Sequence, residues 1–293
     1  MKRITAIATI AVFLAAGAAA AEPWKKSVEA NLTLTQNAYS DNWDGEETGN
    51  VSWAFTSVSL FEKQLTDLLN NSNTLKLQYG QTHKQDEETE EWAGPVKSTD
   101  LIDFESVLRF TFDAFVDPYA GVRLESQFVD GSDPEQTRYV NPLKITESAG
   151  AAKVFIDEET RRLMVRLGGA ARQFVDRDAL DPVTLDRSTE TTSDLGLLLD
   201  AEFKTNLAGD AITYGSKLTV FQGLHYSEAD EIKGQPNEDD WKSPDVKWEN
   251  TFTAGITKYL MVNLYVEILY DKNIDAKARF KEILALGLTY KFM

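Results

Sequence analysis

The chain contains no cysteine and only two histidines, His83 and His225. The first absence excludes a disulfide-held fold, a thiolate metal site and a lipid-anchored lipoprotein. The second leaves little for imidazole chemistry. A hydrolase holds a nucleophile, a histidine and an orienting group together, and no spacing fixes a third residue beside His225 and a nearby serine. Excess positive charge is also missing: 30 Lys and Arg face 47 Asp and Glu, a net of −17. That balance argues against nucleic acid and anionic lipid headgroups as direct partners. No phosphate-binding glycine loop is present. The segment S-D-N-W-D-G mimics a calcium loop through Asn42, Asp44 and Gly45, but it lacks an acid at the first position and carries Val51 where the bidentate glutamate belongs. No cofactor and no metal is expected. After the first residues, no apolar run reaches the roughly 20 residues that a membrane-crossing helix needs.

The first residues are a different case. Lys2 and Arg3 precede an apolar core from Ile4 to Leu14, and Ala18 to Ala21 offers small residues for cleavage. This reads as a secretory signal peptide over residues 1–21, cut near Ala21, leaving one mature unit over residues 22–293. Without Lys2 and Arg3 the mature part has 28 bases against 47 acids, a net of −19.

What the mature part does have is alternation. Its last stretch, Arg279 to Phe292, places Leu284, Leu286, Leu288, Tyr290 and Phe292 on one parity and Ala285, Gly287, Thr289 and Lys291 on the other. Period two means a β-strand with one apolar face. A strand that ends a chain on interfacial aromatics is the expected closing strand of an outer-membrane barrel. Similar stretches recur along the chain, giving an all-β fold: an antiparallel, up-and-down transmembrane β-barrel of about twelve strands. Long polar loops are expected after odd strands, outside the cell, and short periplasmic turns after even ones. The span Glu62 to Asn73 is too long for a short turn. The pattern slips near Ser57 to Leu60, which predicts a bulge. Asp117-Pro118 reads as the turn between strands four and five, and Val175 to Ser193 as a long loop.

This register turns one set of residues inward. The candidate lumen-lining residues are Asp103, Glu105, Arg109, Arg123, Glu125, Arg166, Arg172, Asp200, Lys217, Glu249 and Glu267. Charges on a lipid face are costly, so their shared parity is informative. Two readings stay open: a wet, charged pore, or a salt-bridged polar filling in a barrel of modest width. Glu282 breaks the pattern by sharing parity with Leu284. His83 falls outward and His225 inward. Trp24, Trp248, Tyr270, Tyr290 and Phe292 are candidates for the aromatic girdles at the membrane edges.

The chain resembles an uncharacterised outer-membrane β-barrel family of Gram-negative bacteria, catalogued as a domain of unknown function. The resemblance rests on W-K-K at Trp24 to Lys26, N-L-T-L-T-Q at Asn31 to Gln36, and Asn42-Trp43 followed by Gly45. It continues through N-T-L-K-L-Q-Y-G at Asn73 to Gly80, K-S-T-D-L-I-D at Lys97 to Asp103, V-K-W-E-N at Val246 to Asn250, and the run from Phe280 to Phe292. Met293 departs from it, because such barrels usually end on the aromatic. The resemblance implies an outer-membrane location and no assigned activity. The charged inward face and the size of the barrel make a porin-like passive channel for small solutes the expected function. The alternative is a closed barrel with a structural or surface-interaction role, and a hydrolase is least favoured. The expected partners are outer-membrane lipid and lipopolysaccharide, with the assembly machinery reading Arg279 to Phe292. The acidic run Asp86 to Glu91 reads as a solvated outer loop.

Overall fold

Alternating segments longer than about ten residues satisfy their backbone groups by pairing sideways. In the computed structural model of this chain, twelve such segments pair in a ring. The structure describes residues 23–38, 48–86, 89, 91–112, 114–133, 135–181, 184–209, 211–257 and 260–292, without the side chains of 289–292. Residues 1–21, the expected signal peptide, lie outside the described residues, as do Asn42, Asp44, Gly45 and Met293.

The elements in chain order are β1 (Lys25–Asn37), β2 (Asn50–Thr66), β3 (Leu69–Lys84), β4 (Val96–Phe110), β5 (Asp117–Ser126), the short β6 (Val129–Asp130) and β7 (Arg138–Tyr139), β8 (Leu143–Asp157), β9 (Arg161–Leu180), β10 (Arg187–Leu207), β11 (Ile212–Tyr226), β12 (Asp245–Gly255), β13 (Leu260–Asp271) and β14 (Asp275–Phe292). β6 and β7 form a hairpin of their own. The other twelve make a closed antiparallel barrel in which each strand pairs with its neighbours in sequence and β14 returns to β1. The fold is all-β; among the described residues, helical structure is confined to one 3-10 turn, Asp240–Lys242.

The strands are longer than their sequence pattern suggests, and this corrects several expectations. β2 pairs without interruption from Asn50 to Gln64, so the bulge near Ser57 to Leu60 is absent; the ladder shifts instead between Gln64 and Thr66. Because β2 and β3 both extend, the over-long span Glu62 to Asn73 becomes mostly strand, and only Asp67 and Leu68 lie between the two. Asp117 and Pro118 begin β5, and the connection to it is residues 111–116. Proline is tolerated there because it is close to the first residue of its strand. Most of Val175 to Ser193 is also strand, with only residues 181–186 outside β9 and β10. The connection between β13 and β14 is short too, residues 272–274. The long connections are 38–49, 85–95, 127–142 and 227–244, all at the same end of the barrel.

Burial follows the alternation, with apolar side chains outside. On β10, Gly196, Leu198 and Asp200 are buried, while Leu195 and Leu197 are each about half exposed. Leu32, Leu34, Leu167, Leu284, Leu286 and Leu288 are more than half exposed on the outer wall. The buried set is dominated by polar side chains, among them Asp103, Arg166, Arg172, Asp194, Asp200 and Glu249. One bulge has a directional effect. Leu195 faces His225 and Gly196 faces Gly223, leaving Leu224 as the extra residue on β11. The slip moves His225 onto the parity of Leu195, so His225 faces outward and not into the lumen.

This arrangement predicts a face-dependent response. Leu167→Arg, in the middle of β9, is expected to cost about 2–4 kcal/mol of folding into lipid. Val58→Arg points into the lumen and is expected to cost much less. Urea titrations in lipid vesicles read both; equal losses would contradict the assignment of faces.

Candidate functional site: the charged lumen

Strand parity delivers charged side chains into the lumen, and the barrel's curvature brings distant ones together. Three clusters result. The central one is built on Glu105 of β4, which accepts from Arg166 of β9 at 2.6 Å and from Lys217 of β11 at 2.6 Å. Arg166 also reaches Asp200 at 3.4 Å and Glu202 at 3.2 Å, both on β10. Lys217 lies 3.3 Å from Glu202. Counting round the ring through β5, β8, β9 and β10, β4 and β11 are five places apart, almost opposite in a barrel of twelve. These contacts therefore cross the lumen.

The second cluster lies beside it. Arg123 of β5 makes a two-point contact with Asp103 of β4, at 2.8 Å for each bond, a geometry that suits the guanidinium fork. Glu125 gathers Arg123 at 3.1 Å, Lys144 at 3.6 Å and Lys247 at 3.8 Å. Lys247 also lies 3.9 Å from Glu267. Lys76 of β3 reaches Glu249 of β12 at 3.2 Å, again across the barrel. The Tyr265 hydroxyl sits 3.0 Å from Glu249 and 2.5 Å from Glu267. The third cluster is nearer the long-loop end. Arg172 holds Asp194 at 2.8 and 2.5 Å and Asp245 at 2.6 Å, with its guanidinium 3.5 Å above the Phe221 ring. Arg109 stands apart at the short-turn end, paired with Asp117 at 2.8 Å.

All eleven candidate lumen residues thus lie inside the barrel, and each is in an ion pair or hydrogen bond. Sequence reasoning missed the aromatics among them. Tyr119, Phe221 and Tyr265 face inward, where a search for charged parity does not look. Tyr119 packs over Gly168; a Cβ at that glycine would sit 2.9 Å from the tyrosine hydroxyl. Of the candidate girdle aromatics, Trp24 precedes β1 and Trp248 lies on the outer face, both partly exposed. Tyr270 pairs with Val246 near the long-loop end. The side chains of Tyr290 and Phe292 lie outside the described residues. Glu282 is exposed on the outer face opposite Val266.

The interior is not uniformly filled. A cavity of about 500 Å³ opens from the short-turn end, where Arg109, Arg162, Lys204 and Glu202 line it, and extends along β1 to β4 as far as Thr33, Ala54 and Thr99, with Glu105 and Glu249 on its walls. A much smaller one, about 40 Å³, lies beyond Glu105 among Arg123, Glu125, Lys144 and Phe221.

At the long-loop end, the connection 127–142 docks on the extended tops of β9 and β10. Arg138 pairs with Asp130 at 2.7 Å and Asp176 at 2.8 Å. Asn141 donates to Asp176 at 2.6 Å and accepts from the Arg177 backbone at 2.9 Å. Arg187 pairs with Asp133. The Arg187 hydrogen bond, aided by the Glu135 backbone N–H, holds the Asp133 carboxyl down at about 2, from its ordinary 3.8. An acid depressed in this way favours docking above pH 3.8, and the contribution is lost as pH falls through 2. The protection factors of the described amides in 127–142, which remove the intrinsic pH dependence of exchange, are therefore expected to hold down to about pH 4 and to fall between pH 4 and 2. A fall centred near pH 6 would contradict this cause.

The central cluster makes its own prediction. Arg166 is 2% exposed and lies against three carboxylates. Arg166→Met removes their shared cation and is expected to cost about 3–5 kcal/mol in vesicle unfolding. A loss of about 1 kcal/mol or less would mean that water screens the cluster.

Comparisons with known proteins locate the chain only broadly. A family model described as "Protein of unknown function (DUF3078)" matches residues 34–131. No curated protein matches. Among solved structures, the chain is similar to the COG4313 outer membrane channel from Pseudomonas putida F1, at 16% identity over 91% of this chain and 93% of that one, with a TM-score of 0.42. It is also similar to the translocator domain of the autotransporter NalP from Neisseria meningitidis, at 9% identity over 92% and 87%, TM-score 0.37. A third likeness is to OprB from Pseudomonas putida, at 10% identity over 92% and 94%, TM-score 0.31.

Proposed function

We propose that the barrel spans the outer membrane and passes small ions or solutes through a narrow, charged lumen. The observation that carries this reading is the inverted distribution of side chains: leucines outside, ion pairs inside. Exposed apolar surface in water costs about 25 cal/mol per Å², so a wall of half-exposed leucines fits lipid far better than water. The strands, from 10 residues in β5 to 21 in β10, meet the length of about 9–11 residues that a tilted strand needs to cross the hydrocarbon. The long connections then project from one membrane face, towards lipopolysaccharide. β14 would be the segment that the assembly machinery reads, and residues 1–21 the export signal.

The cross-lumen pairs favour low conductance. They also favour the second reading, a closed barrel, because Glu105, Arg166 and Lys217 tie β4 to β9 and β11. Single-channel recording decides between the two. We expect small, stable steps in planar bilayers. Glu105→Gln removes an acid between two cations, so the conductance should rise and the reversal potential in a salt gradient should move toward anion selectivity. Silence at all voltages from protein that still migrates differently when unheated would leave the closed barrel standing. A soluble protein without a heat-dependent shift would end the spanning reading.

A further inference from the structure

The large cavity has two unlike walls. One carries the charges already described. The other, formed by β13, β14, β1 and β2, presents Val58, Leu60, Met261, Ile283, Ala285 and Gly287, with Glu29 of β1 beside Val58 and Glu62 of β2 at its short-turn edge. Val58 is an apolar side chain that remains 47% exposed while facing inward. A lumen built only to carry ions has no use for such a wall.

The mostly apolar wall coincides with the barrel's closing seam. β1 and β14 pair from Val28 opposite Phe292 to Thr33 opposite Gly287, and no further. Yet β1 continues to Asn37, paired with β2 over its whole length. Continued in that register, Leu34 to Asn37 would fall opposite Leu286 to Ile283, but among the described residues no pairing joins them. Leu34 is 68% and Leu286 57% exposed at this point. The cavity reaches the seam from within, at Asn31, Thr33, Ala285 and Gly287.

The short-turn mouth of the cavity supplies a third feature. Arg162 and Lys204 are direct register partners on β9 and β10, and both line the cavity. Like charges placed directly opposite are unfavourable in a sheet. Arg162 is only loosely compensated, by Glu62 at 3.5 Å and Asp157 at 4.0 Å. Among the described residues no carboxylate lies within 4.0 Å of Lys204. Lys204 is exposed and Arg162 partly so at this mouth, and the two together make a local positive site against the chain's net negative charge.

We propose that this part of the lumen binds an anionic single-chain amphiphile, with its carboxylate at Arg162 and Lys204 and its acyl chain along Met261, Ile283, Ala285 and Gly287 of β13 and β14 toward the seam. The volume lies within the range of about 300–1,000 Å³ typical of small-molecule sites. The inference rests on the spanning barrel but not on ion conduction.

The test uses the mature protein folded in lipid nanodiscs and a long-chain fatty acid carrying a photoreactive diazirine at its tail. Cross-links located by tandem mass spectrometry are expected on inward residues of the mostly apolar wall, such as Met261, Ile283 and Ala285. Excess oleate should compete, and the methyl ester should label these positions about tenfold less, since a charge-assisted contact is lost. Lys204→Gln alone and Lys204→Gln with Arg162→Gln should reduce inward labelling in that order. Each sample is checked for its heat-dependent shift, so a barrel that fails to fold or insert is told apart from a folded barrel that does not bind. Labelling confined to outward residues such as Leu284 and Leu286, or equal labelling by acid and ester, would overturn the proposal.

Discussion

The rest of the structure depends on closure of the backbone ladder. Each strand gives its N–H and C=O groups to two neighbours along the barrel wall, and the ring of twelve closes where β14 pairs with β1. Closure fixes the faces. Once one strand points its leucines outward, the register ties every other strand to the same choice, because a slip of one residue would turn a whole strand inside out. The bulge between β10 and β11 shows what one extra residue does: Leu224 is accommodated, and His225 turns from the lumen to the outer wall.

Closure also sets the electrostatics. Side chains that alternate inward on twelve strands converge on a narrow space, so cations and carboxylates far apart in sequence become neighbours. Glu105 and Lys217 are separated by 112 residues and lie 2.6 Å apart. Pairing of this kind adds little net stability, since desolvation offsets attraction, but breaking one pair is costly. The clusters therefore act as constraints on barrel shape. They tie β4 to β9 and β11, and β3 to β12, and leave the space beside the β1–β14 seam as the open part of the lumen.

Much of this was legible in the sequence, for a physical reason. Alternation is a local signal, so the strand number, the antiparallel order and the inward charges could be read from stretches such as Leu195 to Phe203. What could not be read depends on partners. β9 and β10 extend past their apolar alternation, to Leu180 and from Arg187, because they pair with each other above the barrel rim. Asp117-Pro118 carries turn chemistry but lies in strand, since β8 supplies the pairing partners Ala152 and Ala151. Tyr119, Phe221 and Tyr265 hide among the charges because an inward aromatic has the same parity as an inward acid. Which acid meets which base is a matter of curvature, and no spacing along the chain encodes it.

The central claim is that one parity of every strand faces lipid and the other an aqueous, charged lumen. The absence of cysteine makes a direct test simple. Single cysteines placed in turn from Leu197 to Phe203 on β10, labelled with an environment-sensitive fluorophore and reconstituted in vesicles, can be quenched by spin-labelled lipid. The account predicts strong quenching at positions 197, 199, 201 and 203 and weak quenching at 198, 200 and 202. Uniform quenching, or none at either parity, would contradict it.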